Sequence, residues 1–212
     1  MSEGLEYYQK NYPNYARQNP DRKMSFYREL VRQCTQGTPQ KAKLLDLGCA
    51  FGRFLTYVGN EFETYGQEPN SAALDIASQL LAAERLRCHP LPEIAFEEKF
   101  DAIVAFDVFE HVQDIEGVRK SLLQSLTPQG HVVFVVPVYD GITGPIVHLL
   151  DKDPTHVHKR SRWFWLDWIG KDFQVVNWCG IYRYLLLGHY IHVPTRLLRR
   201  FTPAIAVVAQ RG

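Results

Sequence analysis

Asp46 stands inside the apolar run Leu44–Leu47, and Gly48-Cys49-Ala50-Phe51-Gly52 follows it directly. An apolar strand that enters a glycine turn and then a helix-compatible segment, RFLTYV, aims backbone N–H groups at a ligand. Gly48 and Gly52 suit a turn that a Cβ would block. The spacing Gly-x-x-x-Gly lacks one glycine of the pyrophosphate fingerprint, which weakens a nicotinamide-dehydrogenase reading. An acid just before the turn suits an ammonium group instead, and so a ligand that carries an amino acid. Glu68, about twenty residues beyond the turn, occupies the place of an acid that takes ribose hydroxyls.

A second constellation is Asp107, Glu110 and His111, spaced i, i+3, i+4, which one helical turn would present on a single face. Two carboxylates and an imidazole can ligate a divalent metal. With mostly oxygen donors and no cysteine nearby, Mg2+ would be favoured over zinc. The preferred reading is that no metal is held and that Glu110 braces the glycine loop or the ligand. His156 and His158 lie in the segment DPTHVHKRS, and His156 is the candidate general base.

The elements that must position these groups follow from hydrophobic periodicity and from breakers. Residues 4–37 read as helical, broken at Asn19-Pro20 and ended by Gly37-Thr38-Pro39. Strands at 43–47 and 63–69 then alternate with helices that start near Gly52 and at Asn70-Ser71, the latter running through LLAAERL. A short strand near 86–89 precedes FDAIVAFDVFEHV, whose IVAF core is a strand that ends in a turn at Asp107. A helix at 115–126 stops at Thr127-Pro128-Gln129-Gly130, and the β-branched run 131–138 is a central strand buried on both faces. This βαβαβ order predicts an α/β, doubly wound, mostly parallel sheet with right-handed crossovers. Segments 173–179 and 204–211 are strands that pair antiparallel at its edge. Between them, LLLGHYIHVPTRLLRRF reads as a packed helix with an exposed arginine face, or as an interfacial segment.

In such sheets, ligands sit outside the carboxyl ends of the strands. Those ends carry Gly48 to Gly52, then Glu68-Pro69, then His89-Pro90-Leu91, then Phe106-Asp107-Val108. Together they describe an adenosine pocket with apolar walls. At 212 residues, with 46% hydrophobic and 22% charged content, the chain is one domain with a full core. Its parts are a helical cap at 1–40, a cofactor-binding core at 41–138 and a substrate side at 139–212. A formal charge of +1 argues against broad nucleic-acid binding. The four cysteines, without a CxxC pair, read as reduced thiols, and the polar start MSEGLEYYQK shows no signal peptide. These features, with no apolar run long enough to span a membrane, point to the cytoplasm.

DLGCAFGRF, QEPN, FDAIVAFDVFEHV and LTPQGHVVFVVP resemble the successive motifs of class I S-adenosylmethionine-dependent methyltransferases. FEHV and PQG are most similar to the branch that contains the ubiquinone-biosynthesis O-methyltransferases. The resemblance is strong over 41–138 and loose over 154–178. It implies a Rossmann-like, seven-stranded sheet with an antiparallel final strand. It also implies that Asp46 and the backbone of Gly48, Cys49, Ala50 and Gly52 hold the methionine part of S-adenosylmethionine. Glu68 and Pro69 would then meet the ribose, and Leu91, Phe106, Asp107 and Val108 the adenine. Where the family has a polar residue after the third strand, this chain has Cys88-His89-Pro90-Leu91.

The expected activity is O-methylation of a small-molecule or lipid-like acceptor. The alternatives are a metal-assisted methyltransferase on an RNA end or catechol-like ring, and a non-catalytic S-adenosylmethionine-binding module. Tyr7, Tyr8, Tyr12, Tyr15 and Tyr27 are candidates to close over the cleft, Tyr15, Arg17, Arg22 and Lys23 to cover the cofactor carboxylate or stay solvated, and Trp163 and Trp168 read as core packing. Lys159-Arg160-Arg162 and Arg196-Arg199-Arg200 are candidates to face phosphate or a membrane surface.

Overall fold

Strict alternation along the central strands decides the architecture, because it buries both faces of the sheet. In the computed structural model, which describes residues 5, 6, 8, 15–37, 40–186 and 189–212, β1 (Lys43–Leu47), β2 (Glu63–Gln67), β3 (Leu86–Arg87), β4 (Phe100–Phe106) and β5 (Leu126–Pro137) are parallel. Leu45, Leu47, Ile103, Ala105, Val132, Phe134 and Val136 project to one side. Leu44, Ala102, Val104, Val133 and Val135 project to the other. The first side is covered by α5 (Ile115–Ser125) and α7 (Arg162–Gly170), and the second by α2 (Asp21–Cys34) and α3 (Arg53–Val58). Each fully buried aliphatic side chain stabilises the fold by roughly 1.5–3 kcal/mol relative to exposure.

The strand order is β3-β2-β1-β4-β5-β8-β6-β7. The order reverses direction between β1 and β4, so the carboxyl ends of β1, β2 and β4 open onto one crevice, the switch point of a doubly wound sheet. β8 (Ala204–Arg211) runs antiparallel between β5 and β6 (Phe173–Leu186), as the sequence pattern predicted. The sheet has eight strands among the described residues rather than seven. The expected helix or interfacial segment around 189–201 is instead β7 (His189–Thr195), hairpinned onto β6, with a short 3-10 turn at Arg199–Phe201. The reason lies in β6, which continues past its last pairing with β8 at Ile181 and needs a second partner for its backbone.

Short helices complete the frame: α1 (Tyr15–Gln18) at the cap, α4 (Ser71–Ala77) and α6 (Gly144–Leu150). The Asn70 side chain caps α4 by accepting the Ala73 N–H at 3.1 Å. That helix ends well before Leu86 because Ser78 to Leu80 and Ala82 to Glu84 are exposed, with no face to pack. Trp165 and Trp168 are core residues of α7, but Trp163 is 53% exposed, contrary to expectation. Arg162 is likewise no surface ligand for phosphate: it is buried, paired with Asp140, and bonded to the carbonyls of Arg199 and Thr202. The four cysteines are unbonded, and no helix among the described residues is long and apolar enough to cross a membrane.

His192 of β7 is only 1% exposed and packs against Phe26 and Tyr27 of α2. Burial pushes its pKa down to about 4, helped by Lys23, Arg183 and Arg22 and opposed by Asp107. The folded protein therefore refuses a proton that the unfolded chain accepts at its ordinary value of 6.5. Stability should fall as pH drops from 6.5 toward 4, by up to about 3 kcal/mol from this group. Urea unfolding of wild type and His192→Phe across that window checks it, and the variant should show a distinctly flatter profile.

Candidate active site

The turn after β1 is shaped by positive backbone angles at Gly48 (φ 72°), Ala50 (φ 47°) and Gly52 (φ 72°). Gly48 and Cys49 donate their N–H groups to the Gln67 carbonyl, at 2.7 and 3.2 Å, which ties the turn to β2. A Cβ at Gly48 would lie 2.5 Å from Val108 Cγ2, and one at Gly52 2.7 Å from Leu81. The glycines thus let the turn lie flat against β4 and the segment after α4. Glu68, 4% exposed, accepts the Ala50 N–H at 3.1 Å on one oxygen and the Asn70 N–H at 3.0 Å on the other. The Tyr8 hydroxyl also bonds to this carboxylate.

Asp46 is buried beneath the same turn. Burial first, then the nearby Glu68 charge, hold its carboxyl well above the usual carboxylate range. Tyr8 and Tyr15 are pushed up by burial and by the same acids. The turn is therefore a desolvated place where two neighbouring acids disfavour each other's charge, which suits a ligand that brings positive charge.

Across the crevice the structure departs from the sequence expectation. Asp107 adopts φ 59°, and its carboxylate is bound by Arg183 of β6 and lies 3.9 Å from Lys23 of α2. Those cations hold its carboxyl below the usual range against the effect of burial. This left-handed residue also breaks the helical turn that would have aligned Asp107 with Glu110 and His111. Residues Phe109–His111 form a 3-10 turn that buries Glu110 completely. The cluster with metal-ligating geometry is instead Glu110, His111 and His156, whose candidate donor atoms all lie within 4.8 Å of one another.

His156 is placed by partners that its own segment does not announce. Its Nδ1 lies 2.9 Å from Asp151 Oδ2 and 3.2 Å from the Tyr139 hydroxyl, which itself donates to Asp151 at 2.5 Å. Lys159 closes on the same carboxylate at 3.1 Å. Burial raises the Asp151 carboxyl, but these bonds outweigh it and hold the group well below its ordinary range. The His156 ring lies 4.6 Å from that of His111, centroid to centroid. His158 is committed elsewhere, with Nε2 2.9 Å from the Val112 carbonyl.

These groups surround a cavity of about 860 Å³. Of the residues expected at the cofactor, Asp46, Gly48, Cys49, Ala50, Glu68, Pro69, Leu91, Phe106, Asp107 and Val108 line it, while Gly52 shapes the turn from behind. His111 and Thr155 also line it, and the His156 ring packs against that of His111. Tyr8, Tyr15 and Lys23 form part of the wall, whereas Arg17 and Arg22 are exposed and Tyr7 and Tyr12 lie outside the described residues. Sequence reasoning missed Arg183, Tyr139 and Asp151. Arg183 acts from another strand and Tyr139 across 17 residues of chain, while Asp151 stands five residues before His156 without a recognisable motif.

S-adenosylmethionine fits this cradle. It carries an ammonium and a sulfonium for the buried acids, and the cavity is lined by Asp46, Glu68 and the turn Gly48 to Ala50. The fold and this site define an S-adenosylmethionine-dependent methyltransferase. A family model described as "Methyltransferase domain" matches residues 15–178, and the chain belongs to that family.

The chain is 27% identical over 146 residues to the polyketide synthase ThaQ of Burkholderia thailandensis, covering 62% of this chain and 7% of that protein. It is 23% identical over 133 residues to the malonyl-[acyl-carrier protein] O-methyltransferase of Bacillus cereus, covering 58% of this chain and 47% of that one. The chain thus spans less than half the length of either relative. Among solved structures, a possible histamine N-methyltransferase from Thermotoga maritima superposes with a TM-score of 0.68 at 13% identity, over 99% of this chain and all of that one. The N-methyltransferase NodS of Bradyrhizobium japonicum, in complex with S-adenosyl-L-homocysteine, gives 0.65 at 15% identity over 98% and 96%. At these identities the likeness shows the fold.

Gly48→Ala tests the cradle. Strain at positive φ of roughly 1–2 kcal/mol, plus the Val108 clash, should lower Tm by several degrees and weaken S-adenosyl-L-homocysteine binding. Calorimetry and thermal melts on the purified variant check both.

Proposed function

We propose that the protein methylates an oxygen of a small-molecule or lipid-like acceptor, on the branch nearest the ubiquinone-biosynthesis O-methyltransferases. The observation that carries this reading is the Tyr139–Asp151–His156 chain, which holds an imidazole beside His111, a residue of the cavity wall. Asp151 fixes the His156 ring through its Nδ1, as expected of a base for a hydroxyl. The O-methyltransferase activity named for the B. cereus relative supports an oxygen acceptor. A lipid-like acceptor is supported by α6, which exposes Ile146, Leu149 and Leu150 and ends at Asp151 itself.

At the other end, Asp46 would take the ammonium of S-adenosylmethionine. Glu68 would use its remaining lone pairs on the ribose hydroxyls, and Leu91, Phe106 and Val108 would wall the base. When bound, the cofactor supplies an electrophilic methyl group on sulfur with a neutral thioether as leaving group. The chain's own contribution is to hold the acceptor in line, exclude water and take up its proton. Positioning of this kind supplies roughly 7–11 kcal/mol in ideal intramolecular systems.

In calorimetry, Asp46→Ala and Glu68→Ala should each weaken S-adenosyl-L-homocysteine binding about tenfold, the order of one charge-assisted hydrogen bond. Binding to wild type should also weaken as pH falls through the raised pKa of Asp46, because the protonated acid no longer attracts the ammonium. That pH dependence should be lost in Asp46→Asn. Unchanged affinity in all three variants would refute the placement of the cofactor. A methyl-transfer screen over hydroxylated aromatics, carboxylic acids and lipids identifies the acceptor. With it in hand, His156→Ala should lower kcat by ~10²–10⁴-fold and leave cofactor affinity unchanged.

A further inference from the structure

An adenine base presents a 6-amino donor that needs an acceptor, and the segment after β3 is poorly equipped to supply one. Its residues on the cavity wall are His89, Pro90, Leu91 and Pro92. The prolines bring neither an N–H nor a polar side chain. His89 turns Nδ1 onto the Pro90 carbonyl, at 2.9 Å, and Nε2 toward Glu93, 3.6 Å away. Gln67 also lines the cavity, but its amide is bonded at both ends, to the Glu93 carbonyl at 2.7 Å and the Ala95 N–H at 2.9 Å. Those bonds tie the segment beyond Leu91 to β2.

An acid reaches the same place from the connection between β4 and α5. Asp114 caps α5, its Oδ1 accepting the Gly117 N–H at 2.8 Å. A Cβ at Gly117 would collide with Asp114 Oδ2 and lie 3.0 Å from Pro92 Cβ. Both groups therefore border one point, and the room left by Gly117 lets the carboxylate lie beside Pro92, one residue past Leu91. Asp114 shares the cavity wall with Leu91, Pro92, Val108 and Val112. His158 holds the connection in place, its Nε2 2.9 Å from the Val112 carbonyl. One oxygen of Asp114 is thus spent on the helix, and the other faces the Pro92 side as an acceptor.

We propose that Asp114 Oδ2 accepts the 6-amino group of the adenine base, in place of a polar residue after the third strand. Selection of the base then lies with a carboxylate from the β4–α5 connection. A 6-oxo purine would set its carbonyl oxygen against that carboxylate, and the site rejects it for that reason. The assignment rests on the reading of this cavity as the S-adenosylmethionine site.

Calorimetry on the full chain tests it with three ligands: S-adenosyl-L-homocysteine, S-inosyl-L-homocysteine, and the analogue with hydrogen at position 6 of the purine. Wild type should bind the adenosyl ligand about 10–100-fold more tightly than either of the others, the order of a hydrogen bond to a charged group. Asp114→Asn keeps the capping oxygen and puts an NH2 donor where Oδ2 stood. It should weaken the adenosyl ligand by a similar factor, leave the 6-hydrogen analogue unchanged and tighten the inosyl ligand. A purely structural cap would not move the three ligands in different directions. If Asp114→Asn melts too low to assay, Asp114→Ser, which also caps helices, should abolish the preference for the amino group. His89→Ala and Gln113→Ala should keep the wild-type preference. A preference that survives in the Asp114 variant, or that is lost in His89→Ala or Gln113→Ala, overturns the proposal. Equal binding of all three ligands by wild type sinks this assignment alone, whereas binding of none sinks the cofactor reading and the assignment with it.

Discussion

The Glu68 carboxylate is the contact on which the cofactor end of the molecule depends. One oxygen fixes the glycine turn through Ala50, the other fixes the start of α4 through Asn70, and the Tyr8 hydroxyl joins them from the cap. A single buried acid therefore sets the relative positions of three segments that are far apart in the chain. Burial holds its carboxyl above the usual range, and the backbone N–H bonds from Asn70 and Ala50 oppose that shift. The consequence is a rigid turn with Asp46 buried beneath it, its carboxyl held above the usual range by burial and by the Glu68 charge.

Asp107 performs the corresponding task at the other edge of the crevice, with opposite electrostatics. Its partners come from α2 and β6, so this carboxylate links the helical cap to the last part of the sheet. The extra strand β7 matters here, because it gives the far half of β6 a hydrogen-bonding partner opposite Arg183, at His192. The same neighbourhood of cations helps to keep His192 uncharged. Cap, strand end and hairpin are in this way coupled through one buried ion cluster, whose strength comes from a desolvated setting.

What the sequence disclosed and what it withheld divide along these lines. The parallel core, the reversed last strand, Asp46, the glycine turn and Glu68 were legible, because each is encoded by contiguous residues with a fixed periodicity or spacing. The hairpin at β7 was not. LLLGHYIHVPTRLLRRF has the apolar content of either a helix or a strand, and the choice is made by the unpaired edge of β6. The grouping of Asp107 with Glu110 and His111 failed for a related reason: spacing predicts a shared face only if the backbone is helical, and Asp107 sits at φ 59°. His156 was found by residue type, but Tyr139, which helps to orient it, is a tertiary neighbour, and Asp151, five residues before it, belongs to no motif.

Among the described residues, Ala50 and Asp107 are the two non-glycine positions with positive φ, and both line the cavity. Each such position costs on the order of 1–3 kcal/mol and persists only where its surroundings over-determine it. At Ala50 the restraint is the Glu68 bond; at Asp107 it is the N–H bond to the Val135 carbonyl, 2.9 Å long, together with the Arg183 pair. Relaxing either residue would turn its amide out of the crevice and release the carboxylate that holds the neighbouring segment. The strain therefore sits at two bends that line the ligand cavity, where a fixed backbone is worth more than a relaxed one. It marks the crevice as the working part of the molecule independently of any sequence likeness.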